Sequence, residues 1–147
     1  MKIISITWNS YIPTLLKAAD DIGIELEAHY SKILEDNPEE AEKVLLACEH
    51  ADAVFLYYTS TPFWEDFYEK LEPLKKRVPV ICVGSDPSSL TLSSVKLEIA
   101  ATCFSYIIYG GQENFANMLR YLLKEVLGCE IETKPPEKIP WDGLYHP

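Results

Sequence analysis

Ala53-Val54-Phe55-Leu56-Tyr57-Tyr58 is an unbroken apolar run of strand length, and Val78-Pro79-Val80-Ile81-Cys82-Val83-Gly84 repeats the pattern after one helix-sized interval. A strand with one wet face alternates apolar and polar residues, whereas one covered on both faces does not. These two runs therefore predict inner strands of a parallel sheet, with Pro79 at the start of the second, where its missing N–H is tolerated. Lys2 to Trp8 reads as another strand. Ile24 to Tyr30 sets Ile24, Leu26 and Ala28 against Glu25 and Glu27, the period of a half-buried outer strand.

Helical spacing fills the intervals. Ile12, Leu15, Leu16 and Ala19 fall on one face of a helix over Tyr11 to Ile22, stopped by Gly23. Asn37-Pro38-Glu39-Glu40 predicts an N-cap, a proline in the first turn and acids at the positive end of the dipole. Thr61-Pro62 restarts a helix carrying Phe63, Trp64, Phe67 and Leu71. From about Leu90, the spacing of Leu92, Val95, Ile99, Cys103 and Ile107 is helical again. Gly110-Gly111 breaks it, and Phe115, Met118, Leu119, Leu122, Leu123 and Val126 mark a last amphipathic helix ending at Gly128. Strand and helix alternate, and the crossovers are long enough for parallel pairing. The expected fold is a three-layer α/β domain, flavodoxin-like or Rossmann-like, with a mostly parallel sheet flanked by helices.

Composition narrows the function. The 147 residues are 48% hydrophobic and 24% charged, which suits a single domain with a sizeable core. A formal net charge of −10 repels phosphate backbones and anionic membranes, so neither nucleic acid nor membrane is an expected partner. The opening Met1-Lys2-Ile3-Ile4-Ser5 lacks the form of a signal peptide, no apolar run is long enough to span a bilayer, and the expected compartment is the cytoplasm. Cys48, Cys82, Cys103 and Cys129 are scattered and read as small buried hydrophobes rather than metal ligands or disulfides. His29, His50 and His146 are equally dispersed, and no metal site is expected.

Ligands of such sheets sit outside the carboxyl ends of the strands. The loops Trp8-Asn9-Ser10, Thr59-Ser60-Thr61 and Gly84-Ser85-Asp86 would line that crevice, making Trp8, Asn9, Ser10, Thr59, Ser60, Thr61 and Ser85 the candidate cleft residues. A second reading has Ser10 and Thr61 capping the helices they precede. Neither Gly-x-Gly-x-x-Gly nor a Walker loop is present, so any ATP belongs to a partner. No nucleophile elbow or Cys–His pairing appears, and the pairs Glu39-Glu40 and Glu65-Asp66 suit solvated first turns. No catalytic residue is assigned. Tyr57, Tyr58, Phe63, Trp64, Phe67 and Tyr68 suit either a stacking shelf for a flat macrocycle or core packing, and the strand and helix periods favour the core. Gly110-Gly111 suits an anion-binding helix start or a tight inter-helix turn; Glu113 would compete with an anion, which favours the turn.

The segment Tyr109-Gly110-Gly111-Gln112-Glu113-Asn114-Phe115, followed by Leu119 to Leu123, Pro135-Pro136 and Gly143-Leu144-Tyr145-His146-Pro147, resembles the N-terminal region of the cobaltochelatase large subunit. That is the CobN family, related to the magnesium chelatase H subunit. Its motif residues fall here on Gly110, Gly111, Glu113, Asn114, Gly143, Tyr145, His146 and Pro147. The resemblance implies a role in inserting cobalt into a corrin precursor of cobalamin, with ATP and magnesium handled by separate AAA+ subunits. It also implies that the metal-insertion site lies in a body downstream of Pro147. Residues 1–133 would then be an α/β head that does not itself catalyse and serves contacts with the tetrapyrrole substrate or with partners, and 134–147 a proline-bearing connector on which Trp141, Leu144 and Tyr145 dock to the next domain. The alternative is a free-standing flavodoxin-like binding or interaction module.

Overall fold

A computed structural model describes residues 1–138. Four strands, β1 (Lys2–Thr7), β2 (Glu25–Tyr30), β3 (Ala53–Tyr57) and β4 (Val80–Val83), form one all-parallel sheet in the order β2-β1-β3-β4. Register pairs Ile4 with Glu27, Ile4 with Val54, and Val54 with Val80. The helices are α1 (Ile12–Ile22), α2 (Ser31–Asp36), α3 (Pro38–Cys48), α4 (Pro62–Leu71), α5 (Leu97–Tyr109) and α6 (Gln112–Glu125).

Alternation along the inner strands divides the core into two layers. Ile3, Phe55 and Ile81 face α1, α5 and α6, where Leu15, Cys103, Tyr106, Met118 and Leu119 meet them. Ile4, Ile6, Val54, Leu56 and Val80 face the other way, onto Leu34, Val44, Trp64, Phe67 and Leu71 of α2, α3 and α4. Each fully buried aliphatic side chain contributes roughly 1.5–3 kcal/mol, so the uninterrupted apolar runs are what drive the sheet to the middle of three layers. β2 lies at one edge and is only partly covered, as its alternation predicts. Ser5 is the exception in β1: its buried Oγ has no hydrogen-bond partner among the described residues.

Local signals place most element ends. At the end of α1 the Gly23 N–H bonds the Asp20 carbonyl and the Ile24 N–H bonds that of Ala19, a paired closure that satisfies the last turn. Thr61 caps α4, its Oγ1 accepting from the Trp64 N–H at 3.4 Å. Two expected caps differ. Ser10 lies inside a 3-10 turn, Asn9–Tyr11, and makes no cap for α1. The Asn37 side chain donates back to the Ile33 carbonyl at 3.3 Å instead of capping α3, because the short helix α2 ends directly before it and leaves that carbonyl open.

The expected long helix from Leu90 is also divided, into a 3-10 turn, Pro87–Leu92, and α5 beginning at Leu97. The cause is the outer edge of β4. Ser94 Oγ accepts the Val80 N–H at 2.7 Å and Ser93 Oγ accepts the Cys82 N–H at 2.7 Å. In return Ser93 Oγ donates to the Cys82 carbonyl at 3.1 Å, and the Ser94 N–H donates to that of Val80 at 2.8 Å. Buried backbone groups must be paired, and these two serines satisfy a strand edge that helical continuation would leave open.

Candidate functional site

The loops after β1, β3 and β4 meet at the carboxyl end of the sheet, as the topology predicts. They bound two shallow hollows. One, of about 500 Å³, is lined by Trp8, Asn9, Ser10, Thr59 and Thr61. The other, of about 390 Å³, is lined by Thr59, Ser60 and Ser85, with Asp86 and Ser88 beside them. All seven candidate cleft residues thus come together at one end of the sheet, with Thr59 on the wall shared by both hollows. The larger one spans the ends of β2, β1 and β3, and so covers the switch point where the chain reverses its direction of growth between β1 and β3.

An aromatic group supports this end. Trp8 is 45% exposed, and its ring lies 5.3 Å from that of Tyr57. Tyr11 continues the chain of rings, 5.4 Å from Tyr57 and 6.0 Å from Phe115. The Tyr57 hydroxyl shares a hydrogen bond with Ser85 Oγ at 3.1 Å, tying the end of β3 to the loop after β4. Burial raises the Tyr11 phenol above its ordinary value, and the Tyr57 hydroxyl adds to the rise, so Tyr11 stays neutral at physiological pH. Asp86 is held as a carboxylate by the Ser88 N–H and then by the Ser88 hydroxyl, both at 2.9 Å, which lowers its pKa. Tyr30, Ser31, Lys32 and Glu35 complete the larger hollow. The sequence reading missed these because the end of β2 and the short α2 carry no cap or glycine signal.

The six aromatics read as shelf or core do not share a surface. Tyr57 belongs to the layer of α1, α5 and α6, while Trp64 and Phe67 belong to the opposite layer. Tyr57, Trp64 and Phe67 are buried, and Phe63 stacks on Phe67 at 5.6 Å. Tyr58 lies beside Trp64 at the margin of that layer and Tyr68 lies beside Tyr58, donating to the Leu92 carbonyl at 3.0 Å. Core packing accounts for the group.

Three of the four cysteines are buried as expected; Cys129, past α6, is not, and lies only partly covered. Burial pushes the Cys48 and Cys82 thiols up to about 12 and the Cys103 thiol higher still, so all three remain protonated. Glu39, Glu40, Glu65 and Asp66 are exposed.

The Gly110-Gly111 turn is a second centre of organisation. Gly110 has φ 71° and ψ −178°, and Gly111 has φ 86° and ψ 156°, regions open in practice to glycine alone. The turn lets α6 fold back beside α5. Asn114, in the first turn of α6, is 4% exposed and works as a clasp. Its Nδ2 donates to the Gly110 carbonyl at 2.8 Å and to the Glu137 carbonyl at 2.7 Å, while its Oδ1 accepts from the Glu137 N–H at 2.9 Å. The Tyr106 hydroxyl holds the Lys134 carbonyl, and Gln112 reaches Asp21 on α1. Asn117, also buried, accepts from Arg120 at 2.9 Å. Glu113 is exposed in the first turn. The motif residues Gly143, Tyr145, His146 and Pro147, with Trp141 and Leu144, lie outside the described residues.

This sheet order, with helices on both faces, defines a doubly wound α/β domain of the flavodoxin type, and its last helices carry a recognisable sequence. Residues 104–147, from within α5 onward, match the family model of CobN/Magnesium Chelatase. The chain is 34% identical over 148 residues to the uncharacterized protein MJ1441 of Methanocaldococcus jannaschii, an alignment covering 99% of this chain and 11% of that protein. Its fold is that of part of the catalytic subunit of cobaltochelatase from Mycobacterium tuberculosis, with a TM-score of 0.74 at 19% identity over 95% of this chain and 11% of that one. The chain thus carries a stretch similar to the CobN/Magnesium Chelatase family over residues 104–147, and it spans 11% of the length of each of these longer proteins. Among the described residues, no helix is long and apolar enough to cross a membrane.

Proposed function

We propose that this chain is the N-terminal head of an ATP-dependent cobaltochelatase large subunit, which as a whole inserts cobalt into a corrin precursor during cobalamin biosynthesis in the cytoplasm. The observation that carries this reading is the coincidence of the family match with the Gly110-Gly111 turn and the Asn114 clasp. In this reading residues 1–133 are the head and 134–147 the connector to a downstream body. Metal insertion belongs to that body, and ATP and magnesium belong to separate AAA+ subunits. The head itself contributes contacts rather than chemistry, consistent with the protonated thiols of Cys48, Cys82 and Cys103 and the exposed Glu39, Glu40, Glu65 and Asp66.

The carboxyl-end hollows are the natural place for such a contact. Trp8 offers an exposed ring for stacking against a flat macrocycle, and Lys32, 3.9 Å from Asp36, supplies a cation to the same hollow. A metal-free corrin titrated against the chain should quench tryptophan fluorescence saturably. The Trp8→Ala variant should lose that quenching and Trp64→Phe should keep it. An unchanged signal up to about 1 mM corrin, a concentration at which even about −4 kcal/mol of binding free energy would show, would remove the head from substrate binding.

A free-standing small-molecule binding module is the second reading. It is favoured by a switch-point crevice built from this chain's own loops. Saturable quenching by flavin mononucleotide with none by the corrin would select it.

A further inference from the structure

We infer that the hollow at the amino-terminal end of the sheet docks an acidic protein segment bearing aliphatic side chains. The chain holds 13 Lys and Arg against 23 Asp and Glu, yet Lys75-Lys76-Arg77 is a run of three cations. The fold brings Lys96 to this run around one hollow of about 410 Å³, between the 3-10 turn Glu72–Lys76 and the start of α5. Lys75 is already engaged, 3.6 Å from Glu72 and 4.9 Å from the centre of the Tyr68 ring. Lys76, Arg77 and Lys96 are exposed and make no salt bridge among the described residues. Glu125, at the end of α6, is the acid on the wall, and Glu98 follows Lys96 in the first turn of α5.

Two features select the occupant. Between the cations the hollow is apolar, lined by Val78, Pro79 and Val95, and Leu97 stands 57% exposed next to Lys96. A polyphosphate chain would meet the three free cations but has no side chain for that lining. A segment interleaving glutamate or aspartate with leucine satisfies both the cations and the apolar floor, with charge complementarity setting its orientation. This surface lies at the opposite end of the sheet from the crevice, so the inference holds whatever the crevice binds.

The test is fluorescence anisotropy of the whole chain with a short labelled peptide alternating glutamate and leucine, at low salt. Binding should saturate and weaken as salt approaches about 0.15 M, where the screening length is about 8 Å. Lys76→Glu, Arg77→Glu and Lys96→Glu together should weaken it by about tenfold or more. Lys17→Glu, Lys43→Glu and Lys70→Glu, an equal change in net charge at exposed sites elsewhere, should leave it within about twofold. A glutamate–serine peptide should bind several times more weakly. Circular dichroism melts report whether each variant folds, and Arg77→Glu alone, weakening binding by about threefold or more, replaces a triple variant that does not. Absence of saturable binding, equal loss in both triple variants, or displacement of the peptide by lower concentrations of inorganic pyrophosphate or an RNA oligonucleotide would each overturn the inference.

Discussion

Replacing Asn114 by alanine tests how the chain is held beyond α6. The substitution deletes the donor shared by the Gly110 and Glu137 carbonyls and the acceptor of the Glu137 N–H, three hydrogen bonds in all. Each is worth a net ~0.5–1.5 kcal/mol in a folded protein. Glu137 is exposed, so water replaces part of what its backbone loses, and a total of about 1.5–3 kcal/mol follows. Alanine itself is a good helix former and adds no strain, which makes the loss attributable to the clasp. For a chain of this size the thermal midpoint should fall by roughly 4–10 °C. Urea unfolding would measure the free energy, and limited tryptic proteolysis should show faster cleavage after Lys138 while the sheet remains protected; Lys134 precedes Pro135 and is not a tryptic site. A variant within about 0.5 kcal/mol of the parent, with unchanged cleavage after Lys138, would show that the clasp does not hold this segment.

Gly84 should tolerate no side chain. A Cβ there would stand 2.5 Å from the Tyr58 carbonyl and 2.8 Å from Ser89 Oγ, so Gly84→Ala must displace backbone and should cost about 1–3 kcal/mol, read by urea unfolding; a neutral variant would refute the close approach. Glu27 should contribute to acid sensitivity, since its pKa is lowered first by the hydrogen bond from His29 at 2.7 Å and then by Lys2 at 3.2 Å. A carboxylate whose folded pKa is depressed stabilises above its unfolded value, here 4.5, and loses that contribution as pH falls through the lower folded one. The stability gap between parent and Glu27→Gln should therefore be present at neutral pH and close below about pH 4; a gap independent of pH would refute it.

The inner strands were legible because burial on both faces removes polar alternation, which made Ala53 to Tyr58 distinctive without any partner in view. Gly23 and Gly110-Gly111 were legible because backbone conformation is a local property. What lay hidden was settled by distant partners. Leu92, Val95 and Ile99 keep a helical period, but the unpaired edge of β4 draws Ser93 and Ser94 out of it. The short α2 has only Ser31 and Leu34 buried and offers no periodic stripe to read. At the crevice, the topology rule located all seven loop residues, yet the rings that brace Tyr57 come from Trp8 and Tyr11, far away in sequence. Asn114 appeared as part of a motif, while its bond to Glu137, 23 residues on, needed the fold.

The two serines beside β4 also govern how this domain can grow. Because their hydroxyls and one amide occupy every outward-facing position of Val80 and Cys82, that flank behaves as an end-stop: a foreign strand gains nothing there unless it first evicts a satisfied partner. Extension of the sheet, whether by a neighbouring domain or by an unwanted copy, is left to the side of β2. There Glu25, Glu27 and His29 interrupt the apolar pattern that strand addition favours. A domain built this way can sit beside other chain segments without recruiting their strands, and two hydroxyl groups and one amide are enough to provide that insulation.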